Sequence, residues 1–178
     1  TVDQFGGFNG AQDRYDWSYE GKQTMIVPFM NDALAENPIA DTHGVGHLNP
    51  DYVRFEELDV HVVHAQLSPG QRHLYESRTF YFLDGQPGLL VYQDMFDGNQ
   101  ELMRTYMQTH VVGGLGGTGM MSEDICNVQG EYTFDFATRT YSGGNIMGEA
   151  IQPRPPIFNG EEKAVSFYTP DGLRRYAR

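Results

Sequence analysis

"VRFEELDVHVVHAQLSPGQRHLYESRTFYFLDGQPGLLVYQDMFDGNQELMRTYMQTHVV", residues 53 to 112, decides the fold. Apolar and polar side chains alternate with a period of two in four runs, 53 to 67, 72 to 83, 88 to 96 and 101 to 112, and β-branched and aromatic residues dominate them. The runs are separated by Ser68-Pro69-Gly70-Gln71, Asp84-Gly85-Gln86-Pro87 and Asp97-Gly98-Asn99, which carry turn chemistry. Connectors this short cannot return a chain to a parallel neighbour, since such a crossover needs a dozen or more residues. An antiparallel meander follows.

Working outward, "QTMIVPF" (23 to 29) reads as a strand before the meander and "GEYTFDFAT" (130 to 138) as one after it. In the latter, Tyr132, Phe134 and Phe136 fall on one face and Glu131, Thr133 and Asp135 on the other. Residues 30 to 50, with Asn37-Pro38 and glycines around His43, read as a loop, and "QPRPPIFNGEE" (152 to 162) as a proline-stiffened one. Thr169-Pro170 is placed to start a short C-terminal helix over "DGLRRYA". The expected fold is mainly β: one strongly curved antiparallel sheet, an open half-barrel, with that short helix, in a single β domain covering 1 to 178.

Composition narrows the function. Twenty-four acidic against 12 basic side chains give a formal charge of -12, which disfavours nucleic acid and anionic membrane surfaces as partners. No apolar run approaches the ~20 residues of a spanning helix. Cys126 is the single cysteine, so an internal disulfide is excluded.

Several apparent motifs dissolve in context. Gly114-Leu115-Gly116-Gly117-Thr118-Gly119 spells a dinucleotide fingerprint, yet the strand before it belongs to an antiparallel meander and no βαβ unit is available, so the stretch Gly113 to Gly119 reads as a connector. His61 and His64 are three apart on a strand and point to opposite faces, so they cannot share one ion. His43 and His47, with Asp41 or Asp51, lie together in a loop but lack recognisable third and fourth ligand spacing. There is no G-x-S-x-G elbow. An N-terminal nucleophile at Thr1 is not supported by the residues that follow it, and the adjacent Glu56 and Glu57 face opposite ways. No cofactor, metal or catalytic residue is assigned.

Three segments, "FNGAQDRYDWSYEGKQTMIVPFMN" (8 to 31), "HLNPDYVRFEELDVHVVHAQLSPGQRHLYESRTFYFLDG" (47 to 85) and "DMFDGNQELMR" (94 to 104), taken in order and spacing, resemble the C-terminal half of a bacterial family. Its members are labelled a domain of unknown function or outer membrane lipoprotein-sorting protein. That family is distantly similar to the periplasmic lipoprotein carriers LolA and LolB, whose fold is an open, curved antiparallel sheet with a greasy concave face. Matching positions include Asn9, Gly10, Asp13, Arg14, Tyr15, Asp16, Trp17, Pro28, Arg54, Arg72, Tyr75, Arg78, Phe80, Tyr81 and Arg104. The chain departs where the family carries His-Arg-Val-Trp-Val-Val-Glu and this sequence has Leu58-Asp59-Val60-His61-Val62-Val63-His64, and again after Val112.

The resemblance implies a periplasmic carrier for a hydrophobic molecule, a lipid or a lipoprotein acyl chain, working in envelope transport beside a membrane transporter. It also implies that the chain is the C-terminal part of a longer precursor, whose exposed sheet edge is covered by self-association or a partner chain. Eight methionines and an aromatic share of 13% offer lining material. Trp17, Met25, Phe29, Arg54, Arg72, Tyr75, Arg78, Phe80, Tyr81 and Tyr92 are the candidate ligand-binding residues. On strand parity, Arg72, Arg78, Phe80 and Phe82 share one face and His73, Tyr75 and Tyr81 the other. The alternatives are a hydrolase or other enzyme acting on a hydrophobic compound in the same cavity, and a structural subunit that docks a partner by its sheet edge.

Overall fold

The computed structural model describes residues 6–86, 88–112, 126–144 and 169–176. Within them the chain forms one antiparallel sheet whose strands lie side by side in sequence order. They are β1 (Tyr15–Pro28), β2 (Phe55–Leu67), β3 (Ser77–Leu83), β4 (Leu90–Phe96), β5 (Leu102–Val112), β6 (Cys126–Asp135) and β7 (Thr140–Gly144). The sheet is not closed: β1 and β7 stand at its two edges. The meander expected from 53 to 112 is therefore present, and so is the C-terminal helix, α3 (Pro170–Tyr176).

The turns behave as their residues dictate. Gly70 and Gly85 take positive φ between their strands. Asp97 holds the β4–β5 connection by accepting from the backbone N–H of Asn99 and Glu101, at 2.8 and 2.9 Å. Within β1, Gly21 at φ 103° sits where the register against β2 slips between Tyr19 and Gly21, a bulge that changes which side chains of β1 face which way.

Several sequence expectations are corrected. The strand placed at 23 to 29 begins eight residues earlier, at Tyr15, because the exposed polar residues between Asp16 and Thr24 pair along an edge without needing strict burial. Residues 30 to 50 are not a plain loop: they hold α1 (Asp32–Glu36) and α2 (Ile39–Thr42), and a 3₁₀ turn follows at Pro50–Tyr52. The run 72 to 83 is strand only from Ser77, so parity fails before it, and Tyr75 lies against Arg78 instead of opposite to it. The strand at 130 to 138 is shifted to 126–135. Phe136 thus falls in the turn, 49% exposed, and β7, which the sequence reading omits, follows. The glycine-rich stretch after Val112 and the segment 152 to 162 lie outside the described residues; β5 and β6 on either side of the former pair antiparallel.

The sheet curls. In a flat sheet β1 and β5 would stand about 19 Å apart, at ~4.8 Å per strand, yet their Cα atoms approach within 8 Å. The backbone N–H of Asn31, three residues beyond β1, donates to the carbonyl of His110 on β5 at 2.6 Å. On one face Val27, Val60, Val62, Leu83 and Val91 form a buried cluster spanning β1 to β4. Beside it Leu34 and Leu48, from the segment joining β1 to β2, pack on Met107 and Tyr132. The chain thus covers this aliphatic face itself. The opposite face carries Tyr15, Ala65, Leu67, Tyr75, Phe80, Leu90, Met95 and Tyr106, with Phe8 and Phe82 packed against them.

Candidate functional site

The second face is built around rings. Phe80 and Phe82, two apart on β3, stack with centroids 6.2 Å apart, and Trp17 on β1 lies 5.5 Å from Phe80. Phe8 meets Trp17 and Phe80 edge-on at 5.4 and 6.1 Å, the geometry aromatic quadrupoles favour. Phe8 reaches this position because Gly7, at φ 85°, lets the backbone lie directly on β4: a Cβ there would run into Leu90. Between these rings and the strands is a half-open cavity of about 280 Å³, lined by Gly6, Phe8, Gln12, Trp17, Phe80, Phe82, Gly88, Leu90 and Gln108.

Below Phe8 the wall is braced by a cation. The Arg78 guanidinium is fully buried and stands 5.1, 5.2 and 4.8 Å from the ring centres of Phe8, Tyr15 and Tyr75. Its Nε donates to the Tyr15 hydroxyl at 3.2 Å. Arg104 extends the same layer, donating to the Tyr75 hydroxyl at 2.8 Å and to Asp135 at 2.7 Å. The N–H of Thr138 and then Arg104 hold the Asp135 carboxyl below the usual carboxylate range.

One end of the cavity is polar. Gln108, 7% exposed, donates through Nε2 to the Tyr106 hydroxyl at 2.7 Å and to Glu131 Oε1 at 3.4 Å. Burial, and then the nearby Glu131 charge, push the Tyr106 hydroxyl far above its ordinary value, so it stays protonated. His110, fully buried, places Nε2 at 3.4 Å from Gln108 Oε1, and burial lowers its pKa to about 4, so its ring is neutral at pH ~7.

The ten candidate residues separate into groups. Trp17 and Phe80 line the cavity, and Tyr75 and Arg78 support it from below. Met25, Phe29, Tyr81 and Tyr92 lie on the aliphatic face, packed against its cluster. There burial and Asp94 push the Tyr81 and Tyr92 hydroxyls up to about 12. Arg54 pairs with Glu56 at 2.9 Å on the surface and donates to Met30 Sδ, and Arg72 is exposed in the β2–β3 connection. The sequence reading missed Phe8, Gln12, Leu90 and Gln108 as lining residues. Phe82 carried a signal, sharing parity with Phe80, but Leu90 and Gln108 join the same wall only through the registers of β4 and β5.

The histidines go separate ways. His61 lies on the cavity's face, with Nδ1 at 2.9 Å from the Tyr19 hydroxyl and Nε2 at 2.8 Å from Asp84, while His64 contacts Thr79 on the opposite face. His43 stacks on Tyr141 and lies tilted against Tyr132, where burial lowers its pKa, and His47 Nδ1 lies 2.7 Å from the Leu48 carbonyl. Among the described residues no group of three His, Cys, Asp or Glu is arranged to hold a metal, and no helix is long and apolar enough to cross a membrane.

Comparison with known proteins gives a family match over nearly the whole chain: the model described as "Protein of unknown function (DUF1329)" covers residues 1–174. An uncharacterized protein of Pseudomonas aeruginosa is 40% identical over 106 residues, which is 58% of this chain and 23% of that protein. Among solved structures, a Vibrio parahaemolyticus protein described as an outer membrane lipoprotein-sorting protein domain aligns with a TM-score of 0.41 at 7% identity, over 76% of this chain and 41% of that one. A DUF1329 family protein from Desulfovibrio piger aligns with a TM-score of 0.39 at 11% identity, over 90% and 48%. The chain spans about a quarter of the length of the Pseudomonas relative and under half of each solved chain.

Proposed function

The chain belongs to the DUF1329 family, and on that premise we propose that it is a carrier-type binding protein which shelters a hydrophobic ligand in the half-open cavity of its aromatic face. The observation that carries this reading is the cavity itself. Its walls are the rings of Phe8, Trp17, Phe80 and Phe82 with Leu90, and no lining side chain among the described residues is charged. Transfer of a ligand methylene from water to such walls contributes ~0.8 kcal/mol. The volume of about 280 Å³ is roughly twice the ~150 Å³ of an apolar cavity that takes up one benzene. It therefore suits a short acyl stretch or a single ring system, with the remainder of a larger lipid lying outside.

The setting of this activity is the periplasm, where the carrier hands its cargo to an envelope transporter, and the open sheet edges at β1 and β7 are where a partner or a second copy adds. The acidic surface, at a formal charge of -12, keeps the protein off anionic headgroups until the cargo is delivered.

Trp17 makes the test direct, because it is the sole tryptophan, is 41% exposed and forms a cavity wall. Titration with a hydrophobic probe should shift its emission to the blue and saturate, and native mass spectrometry after gentle purification should retain a lipid mass. Phe82→Glu, which places a charge on the wall while leaving the tryptophan in place, should weaken the probe at least tenfold. A flat titration of the wild-type protein with a clean apo mass rejects the carrier reading.

A further inference from the structure

From Gln108 we infer that the ligand is an amphiphile whose head is an uncharged hydrogen-bonding group, a hydroxyl or amide, seated at Gln108, with its apolar part against Trp17, Phe80 and Phe82. This rests on the carrier reading above and adds the chemical class of the cargo. Gln108 is the one lining residue from β5, and a primary amide more than nine-tenths buried would be a costly choice for a wall that bound only hydrocarbon. Its Nε2 donates to the Tyr106 hydroxyl at 2.7 Å and to Glu131 Oε1 at 3.4 Å, while its Oε1 meets His110 Nε2 at 3.4 Å. Both amide hydrogens are thus engaged within the wall, and the second lone pair of Oε1 is the site left for a donor on the ligand, a hydroxyl or an amide N–H.

The surroundings decide the charge of the head. Glu131 lies 3.4 Å from Gln108 Nε2, so an ionised carboxylate or phosphate seated there would meet a negative charge. No lysine or arginine lines the cavity among the described residues, and Arg78 is held behind Phe8 by its ring contacts. A second buried amide points the same way. Gln93 is fully buried directly between Phe80 and Tyr106 in the sheet register, and among the described residues neither atom of its amide has a hydrogen-bond partner. The interior beside the cavity thus contains neutral polar groups with spare bonding capacity and a carboxylate, a combination matched to a neutral head.

The test compares three probes of equal chain length, decanol, decanoate and decane, by Trp17 emission at pH ~8, where the acid is ionised. Decanol should bind the wild-type chain roughly three- to tenfold more tightly than either of the others, the range expected for one neutral hydrogen bond. Gln108→Leu should remove that preference and leave decane unchanged; its thermal midpoint checks that the variant folds. Decanoate binding as well as decanol, or a preference that survives Gln108→Leu, overturns the inference and leaves the carrier reading standing. If no probe moves the emission, both fall together. The three-probe comparison on the wild-type chain decides the matter even if the variant does not fold.

Discussion

The two faces of the sheet start from the same alternation and end differently. On one, Val27, Val60, Val62, Leu83 and Val91 interlock, and the segment between β1 and β2 lays Leu34 and Leu48 beside them. On the other, Phe8 stands edge-on to Trp17 and Phe80 while Phe80 and Phe82 stack, and these rings border a cavity of about 280 Å³. Branched aliphatic side chains interdigitate and fill space, whereas a planar ring set steeply against a stacked pair leaves a wedge beside it. An apolar face therefore signals burial, and the way its side chains meet decides whether the burial is by the chain's own atoms or leaves room for others: the filled face has rings too, Phe29, Tyr81 and Tyr92, but they are seated against the valines.

The largest expected effect breaks the filled face. Leu34, 2% exposed and seated against Met107 and Tyr132, has no freedom to be replaced by solvent. Leu34→Ala should cost about 3 kcal/mol and lower the thermal midpoint by roughly 6–12 °C. Trp17, on the other face, should keep the emission and probe response of the parent. A variant that loses stability and probe binding together would mean that the two faces are not separable.

Next in size is a pH effect seated between the faces. His110 is fully buried, and burial holds its pKa at about 4, opposed in part by the Pro28 carbonyl, against 6.5 in the unfolded chain. Because the folded value is depressed, the unfolded chain takes up the proton first as pH falls. The stabilisation is complete above pH 6.5, declines between 6.5 and 4, and is gone below, a loss of at most about 3 kcal/mol. Urea midpoints measured from pH 7 to 5 should fall in the parent and stay flatter in His110→Gln. Because His110 of the folded chain stays neutral until the pH nears 4, the preference for decanol over decane should not change between pH 7 and 5.

The sequence made the meander legible because it follows from local alternation and short turns. The order of β2 to β5 came directly from Ser68–Gln71, Asp84–Pro87 and Asp97–Asn99, which leave no other connection. The cavity was only half legible. Trp17 and Phe80 were identified by residue type, yet Tyr81, Tyr92, Met25 and Phe29 were equally good by type and point the other way. The bulge at Gly21 reverses parity within β1, so Met25 cannot be placed on the face of Trp17 by counting in twos. Gln108 carried no signal, because a polar residue in an alternating strand reads as solvent-facing until register sets it opposite Glu131 and beside the rings. Arg78 was a candidate by residue type, but its ring contacts to Phe8, Tyr15 and Tyr75 bring together elements distant in sequence, which no local pattern shows.

The smallest effect is expected where the aromatic face meets water. Lys22 donates to Asp84 at 2.7 Å, and Asp84 also meets His61, which in turn contacts Tyr19. The pairing raises the Lys22 pKa and lowers that of Asp84, so the attraction operates across neutral pH, fading as acid titrates the carboxylate or base the amine. Both groups are open to solvent and counter-ions, and exposed pairs of this kind contribute little to stability. Lys22→Ala should leave the urea midpoint within experimental error, with and without added salt. If the pair instead orders Tyr19 and His61 beside the cavity, the variant should slow or speed probe entry without changing the midpoint, which stopped-flow Trp17 emission would read. A midpoint shift comparable to that of Leu34→Ala would show that the aromatic face depends on its rim for stability, and the contrast between a filled and an open face would no longer hold.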